Sequence, residues 1–323
     1  MGAKTTTSLI ASQAGGTIRE LVERGYVRNE IKPPFTEAEW LRASSIPYIC
    51  PRAYVYLHRM ELPRVDAVNA NLLLTFLHGT SLHWGLQNRL LPELDLLLGS
   101  WRCCLCGALY GGLSDDDKAR LERLKELTRT QLLSNSVIPF AEFMQDQMRS
   151  VVPRPDSCCE CGFEAEDEWS NFEYEEMWFG VPELRIGGHP DGFLKVPWRE
   201  DLGLLEVKSI SNNGAYKVRD RPDIKHVAQA HVYLLATGLK WACILYWAKG
   251  TFGTRSLVEH HIERDEDFLA RMRGALSSLW DGVEGGPLPD RVCKSARAPR
   301  AKECAVLDTC FECEKPKKEE MPF

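Results

Sequence analysis

Gly187-Gly-His-Pro-Asp191, then Leu204-Leu-Glu206-Val-Lys208-Ser, then Gln229-Ala-His-Val-Tyr233 form an ordered polar set in a largely apolar part of the chain. The run from Leu202 to Ile210 has the composition of a buried strand. Successive strand side chains point to opposite faces, so Glu206 and Lys208 share one face and Val207 takes the other. Two charges on one face of such a strand are costly unless a metal or a counter-charge receives them. Asp191 closes the extended segment Leu184 to Ile186, and a Pro/Gly-punctuated connection turns it back beside Glu206. Two hard carboxylates beside an ammonium suit a Mg²⁺ or Mn²⁺ phosphodiesterase centre. For Glu206 and Lys208 taken alone, an edge-strand ion pair is the plainer alternative.

The order Asp191, Glu206-x-Lys208, Gln229-x-x-x-Tyr233 resembles the PD-(D/E)XK nuclease superfamily, especially its RecB-like branch. The resemblance implies an α/β fold with a mixed central sheet flanked by helices. Upstream, Gly79-Thr-Ser-Leu-His83 is similar to the branch's Gly-x-x-x-His element, a helix that brings a histidine to the metal. By implication His83, Asp191, Glu206 and the Val207 carbonyl bind Mg²⁺ or Mn²⁺. Lys208 then positions or activates the attacking water and stabilises the developing charge. Gln229 and Tyr233 lie four apart, hence on one helix face, and by the same implication shape the site and hold DNA. His189 is read as a hydrogen-bonded loop histidine rather than a ligand.

The 12 cysteines cluster, and Cys243 alone stands in an apolar strand-like run, Trp241 to Trp247, as a core thiol. With no signal peptide and no membrane span expected, such a cysteine content points to metal rather than to disulfides. Cys103-Cys-Leu-Cys106-Gly and Cys158-Cys-Glu-Cys161-Gly both read C-x-x-C-G. Two such turns supply the four thiolates of a tetrahedral Zn²⁺ site, assigned to Cys103, Cys106, Cys158 and Cys161. Cys104 and Cys159 are bystanders or substitutes. A second group is split between the chain ends, with Cys50 before Pro-Arg and Cys293, Cys304, Cys310 and Cys313 near the C-terminus. This arrangement resembles the iron–sulfur subset of RecB-like nucleases, which includes CRISPR-associated members. The implied ligands of a 4Fe–4S cluster are Cys50, Cys293, Cys304 and Cys310, with Cys313 in reserve. The Cys293-x10-Cys304 spacing is longer than that family's, so a zinc site from the same residues stays open.

The expected organisation is a flexible arm over 1–16 and a helical part of the nuclease domain over 17–99. A zinc-binding insertion over 100–165 precedes the catalytic core at 166–290, and the cysteine-rich tail at 291–323 completes the iron–sulfur site. Thr17 to Tyr26 reads as an amphipathic helix, and Thr36-x-x-Glu39 as a capping box opening a helix to Ala43. Asp66 is expected to cap a helix with Leu72, Leu73, Phe76 and Leu77 on its apolar face. Gly79 then breaks it before a second helix carries His83. Asp115 to Ser150 reads as one or two helices, Trp169 to Lys249 as the catalytic sheet, Asp265 to Trp280 as a helix, and Lys315 to Phe323 as frayed.

At 323 residues, with 44% hydrophobic and 27% charged residues, the composition is that of a soluble globular protein. The net charge of −6 requires any DNA footprint to be local. Lys217 to Arg221 with Lys225 and His226, and the stretch Arg291 to Lys302, are the basic candidates. Together these features lead to the expectation of a metal-dependent DNA exonuclease acting on single strands or ends in repair, recombination or viral DNA processing. The expected setting is the cytoplasm of a bacterial, archaeal or virus-infected cell. The alternatives are a nuclease subunit with a protein partner, in CRISPR spacer acquisition or a helicase–nuclease, and a non-catalytic DNA-binding scaffold. The chain carries no helicase P-loop motif.

Overall fold

The computed structural model describes residues 27–32, 39–62, 64–127, 129–134, 140–164, 171–249 and 256–312. Its strands are β1 Val27–Lys32, β2 Leu41–Arg42, β3 Arg64–Asn69, β4 Leu97–Cys103, β5 Leu109–Tyr110, β6 Val152–Pro153 and β7 Phe172–Glu175. They continue with β8 Phe179–Val181, β9 Ile186–Gly188, β10 Gly192–Leu194, β11 Gly203–Ser211, β12 Trp241–Lys249 and β13 Leu257–Glu263. The principal helices are α1 Pro51–Arg59, α2 Ala70–Gly85, α3 Asp115–Glu126, α4 Arg129–Ser134, α5 Phe140–Arg149, α6 Asn212–Val218, α7 Ile224–Thr237 and α8 Glu266–Val283. Short helices α9 Pro299–Lys302 and α10 Leu307–Glu312 follow.

The main sheet runs β13-β12-β11-β10-β4-β5, with β6 and β7 also on β4. Only β11 and β12 are parallel within it, joined through α6 and α7, and their neighbours pair antiparallel. This is a mixed α/β sheet flanked by helices, as expected. β12 is buried along most of its length, which fits its near-continuous apolar run. Ala242, Ile244 and Tyr246 of β12 join Leu204 and the α7 and α8 side chains in the larger core. Cys243 and Leu245, on the other face, join Leu205, Val207 and Trp101 in a second core.

Helix α8 follows its amphipathic pattern. Asp265 caps α8 by accepting from the Phe268 amide at 2.9 Å. Leu269, Met272, Leu276, Leu279, Trp280 and Val283 form its buried stripe. Asp223 caps α7 in the same way, and Gly238, with φ 76°, ends it in the left-handed region.

Several local expectations are corrected. Thr36 lies outside the described residues, but Leu41 and Arg42 form a strand and Ala43–Tyr48 a 3₁₀ turn, so no helix runs to Ala43. Asp66 sits in β3; the cap of α2 is Asn69, which accepts from the Leu72 amide at 2.9 Å. Gly79 does not break α2. A Cβ there would stand 3.1 Å from the Ser209 hydroxyl, so glycine lets the helix approach β11. The apolar face read on α2 is not buried, since Leu72, Phe76 and Leu77 are exposed. Leu184 ends a 3₁₀ turn, Arg185 follows with φ 44°, and the extended segment before Asp191 is β9. Among the described residues of 115–150 there are three helices, α3 to α5. The catalytic sheet also begins earlier than Trp169, because β4 belongs to it. The arm over 1–16, the helix over 17–26 and the end at 315–323 lie outside the described residues, as does Cys313.

Candidate active site

β11 brings Glu206 and Lys208 to one face, and the Lys208 ammonium contacts Glu206 Oε1. Glu206 is 1% exposed, and its Oε2 is buried with no hydrogen-bond partner. Burial pushes its carboxyl up to about 7, against the pull of Lys208 and with a further push from Asp191. Burial drags Lys208 down, but Glu206 and Asp191 outweigh it and leave the ammonium raised.

Asp191 sits just before β10, which pairs with β11 through Gly192 and Leu205. Its Oδ2 accepts the Val207 amide at 2.6 Å and its Oδ1 meets His83 Nδ1 at 3.1 Å. His83 comes from the last turn of α2. Burial lowers its imidazole, yet the hydrogen bond and charge of Asp191 prevail and raise it.

Glu176, between β7 and β8, was not foreseen from sequence. Ligand atoms of His83, Glu176 and Asp191 lie within 4.8 Å of one another. Gln87 Nε2 holds this arrangement, donating to Glu176 Oε1 at 3.1 Å and to the Asp191 carbonyl at 2.8 Å. Burial, then the Asp191 charge, raises the Glu176 carboxyl. Glu176 ends the acidic run Glu173-Tyr-Glu175-Glu176, the one sequence signal that could have pointed to it. In that run Glu175 is taken by Lys118 and Arg102.

Gln229 and Tyr233 are buried on α7, four residues apart and so on one face. Tyr233 donates to the His189 carbonyl at 3.1 Å. The His189 side chain lines a different cavity, with Lys125 and Glu122. A cleft of about 660 Å³ opens beside His83 and Glu176 and passes Trp84, Phe76 and Lys249. Converging carboxylates, an imidazole and an orphaned buried oxygen are the donor set of a hard divalent cation, so these residues fit one.

The two knuckles form near-identical turns. Gly107, with φ 79°, donates to the Cys103 carbonyl at 2.9 Å; Gly162, with φ 69°, donates to that of Cys158 at 2.8 Å. The turns place Cys103 Sγ 3.8 Å from Cys161 and Cys106 Sγ 3.5 Å from Cys158. All four thiols lie within 4.8 Å, close enough for a single ion. Cys104 and Cys159 are exposed outside this group, and Tyr110 bonds Cys159 Sγ at 3.1 Å.

Cys50, Cys293 and Cys304 line a cavity of about 390 Å³, and Cys310 joins them around an adjoining space. Among the described residues these four do not converge as tightly as the knuckle thiols. Residues 48–52 and 289–300 meet directly here. Arg52 donates to the Pro289 carbonyl at 3.0 Å and Arg300 to that of Tyr48 at 2.7 Å, while Arg291 stacks 4.6 Å over Phe311. Part of the basic stretch Arg291 to Lys302 is therefore spent on internal contacts. In the other stretch, Lys225 lies 4.4 Å over Tyr48 and His226 meets the Tyr246 hydroxyl at 2.9 Å.

The PD-(D/E)XK nuclease superfamily sequence model matches residues 48–311. No curated protein matches the chain. Among solved structures, the alkaline exonuclease LHK-Exo of Laribacter hongkongensis is 20% identical, with TM-score 0.27 over 31% of this chain and 50% of its own. SSO0001 is 17% identical, with TM-score 0.23 over 39% of this chain and 50% of its own. The chain thus spans about half the length of these structures.

Proposed function

This chain belongs to the PD-(D/E)XK nuclease superfamily, and from that premise we propose that it is a Mg²⁺- or Mn²⁺-dependent deoxyribonuclease of the RecB-like iron–sulfur branch. It cleaves single-stranded DNA or DNA ends in repair, recombination or viral DNA processing. The observation that carries this is the buried, unpartnered Oε2 of Glu206, whose carboxylate pairs with Lys208 and lies near enough to Asp191 and His83 to feel their charges, next to the converging group of His83, Glu176 and Asp191. A carboxylate oxygen left without a partner in the interior is costly, and a cation with a phosphate removes that cost.

Asp191, Glu206, His83 and Glu176 would hold the cation, with the Val207 carbonyl beside them. When bound, it polarises the scissile phosphate and lowers the pKa of a water ligand. Lys208 supplies fixed positive charge where the phosphate gains negative charge. Gln87 orients Glu176 and the Asp191 loop through its two hydrogen bonds. Gln229 and Tyr233 form the rear wall, and Tyr233 steadies the loop at the His189 carbonyl. The cleft past Trp84 and Phe76 supports a single strand, because exposed rings offer stacking to unpaired bases.

The knuckle thiols, within 4.8 Å of one another, support one Zn²⁺ held by the 100–165 segment. Around Cys50, Cys293, Cys304 and Cys310, the looser spacing about a cavity supports a body larger than one ion, a 4Fe–4S cluster. The nuclease-subunit reading draws on α2, whose Leu72, Leu74 and Leu77 face outward as a surface for a partner protein.

Purified protein incubated with end-labelled single- and double-stranded DNA tests the activity. Mg²⁺- or Mn²⁺-dependent release of nucleotides, lost in Glu206→Ala, is expected. A folded wild type that leaves every linear DNA intact with either ion rejects it.

A further inference from the structure

We propose a separate metal site at the outer edge of the main sheet, in which Cys243, Glu259 and His261 bind a thiophilic divalent cation such as Zn²⁺. These residues belong neither to the carboxylate centre nor to the two cysteine clusters. They are brought together by strand register alone. β12 and β13 run antiparallel, with Cys243 opposite His261 and Leu245 opposite Glu259. Residues opposite one another on such a pair project to the same face, so the thiol, the imidazole and the carboxylate emerge side by side. Their ligand atoms lie within 4.8 Å of one another.

The face is fixed. Val258 and Ile262, alternating with Glu259 and His261 along β13, pack against the larger core, so the strand cannot turn the trio away. Cys243 lies with Leu205 and Val207 in the second core, whereas Glu206 alternates with them and points to the opposite face. The site is therefore on the other side of the sheet from Glu206.

The imidazole is held in place. His261 Nε2 contacts Glu259 Oε1, and the Trp198 ring stacks on His261 at 6.5 Å and 6°. Arg199 anchors this loop by pairing with Glu263 and lying 4.5 Å over Trp241. Glu259 and His261 are exposed while Cys243 beneath them is 4% exposed. An ion thus enters from solvent and meets its soft ligand last. Polar residues on an edge strand commonly serve only to block pairing, but that role does not require a thiol beneath them.

Without an ion, burial and the Glu259 carboxylate keep the Cys243 thiol protonated. A divalent cation reverses the local charge and favours the thiolate. Three protein ligands leave one tetrahedral position open to water, the pattern of an accessible rather than a closed zinc site.

Co²⁺ serves as the probe, added to protein purified with its other metal sites filled. The wild type is expected to bind about one further Co²⁺ per chain in tetrahedral geometry, with thiolate-to-cobalt absorption. The carboxylate centre has no thiolate and cannot produce that band. His261→Ala and Glu259→Gln, both at the surface, should each weaken binding about 10-fold or more, and Cys243→Ala should remove the band. Zn²⁺ should raise the Tm of the wild type and not of His261→Ala. No gain of thiolate–cobalt absorption in the wild type overturns the proposal, as does an unchanged band in His261→Ala and Glu259→Gln.

Discussion

Asp191 and Val207 are joined by a 2.6 Å hydrogen bond from the Val207 amide to the Asp191 carboxylate, and Val207 lies between Glu206 and Lys208. The loop carboxylate is thereby fixed to the middle of the Glu-x-Lys motif, and its other oxygen is presented to His83.

This bond separates two effects of mutation. Asp191→Ala strands the buried Val207 N–H, at a cost of about 1–3 kcal/mol, as well as removing a ligand. Asp191→Asn keeps an acceptor oxygen and loses the charge. Both variants, and Glu206→Ala and Lys208→Ala, are expected to lose about 10²-fold or more of the nuclease rate. Of the two Asp191 variants, only Asp191→Ala should also show a clearly lower denaturant midpoint. Wild-type rates in the Glu206 and Lys208 variants reject the assignment.

Glu176→Gln tests the residue that sequence did not disclose. Gln87 can still hydrogen-bond the amide oxygen, so the fold should persist. The Mg²⁺ concentration for half-maximal activity should rise about 10-fold or more, with a smaller change at saturating metal. An unaltered Mg²⁺ dependence removes Glu176 from the ligand set.

Glu206 carries a pH signature. Its carboxyl rises from 4.5 to about 7 in the fold. Between those values the metal-free folded chain holds a proton that the unfolded chain has released, so this group's contribution falls as pH rises. Wild-type protein in chelator should lose stability relative to Glu206→Gln from about pH 4.5 to about pH 7. Metal affinity should move the other way, weakening as pH falls through about 7, because the proton competes. Melting curves and metal titrations across this range are the measurement. Parallel curves for wild type and variant contradict it.

The knuckles predict about one zinc per chain, bound through thiolates at roughly 2.3 Å. Replacing Cys103 and Cys161 together should release it and increase hydrogen exchange across 100–165. Elemental analysis of anaerobically purified wild type without zinc would refute this.

Cys50→Ala should bleach a brown cluster and lower stability, because metal–thiolate bonds couple binding to folding and this tie closes a very long loop. Visible absorption with iron and sulfide counting on both proteins is the check. A full cluster in the variant would move the ligands to the tail cysteines.

What the sequence disclosed was local. Glu206 and Lys208 follow a strand's period of two, Gln229 and Tyr233 a helix's period of nearly four, and each knuckle is one turn. Glu176 obeys no such rule. Tertiary contacts alone send Glu175 to Arg102 and Lys118, and Glu176 to His83 and Asp191. The Cys243–His261 pairing was hidden because it depends on the β12–β13 register, which neither strand encodes alone. Gly79 misled for a related reason: a helix breaker and a residue permitting close approach look alike until Ser209 is seen across the gap.

β4 pairs with β10 through Leu97 and Leu98, and with β7 from Ser100 to Cys103. One uninterrupted strand therefore begins in the sheet of Glu206 and ends at a knuckle thiol. The cysteine segment is not a bead on a string, and a chimera exchanged at residue 100 would cut through a paired strand. The workable N-terminal graft point lies in the connection before β4, so transplanting this segment to another scaffold means carrying Leu97–Cys103 and a strand for it to rest on.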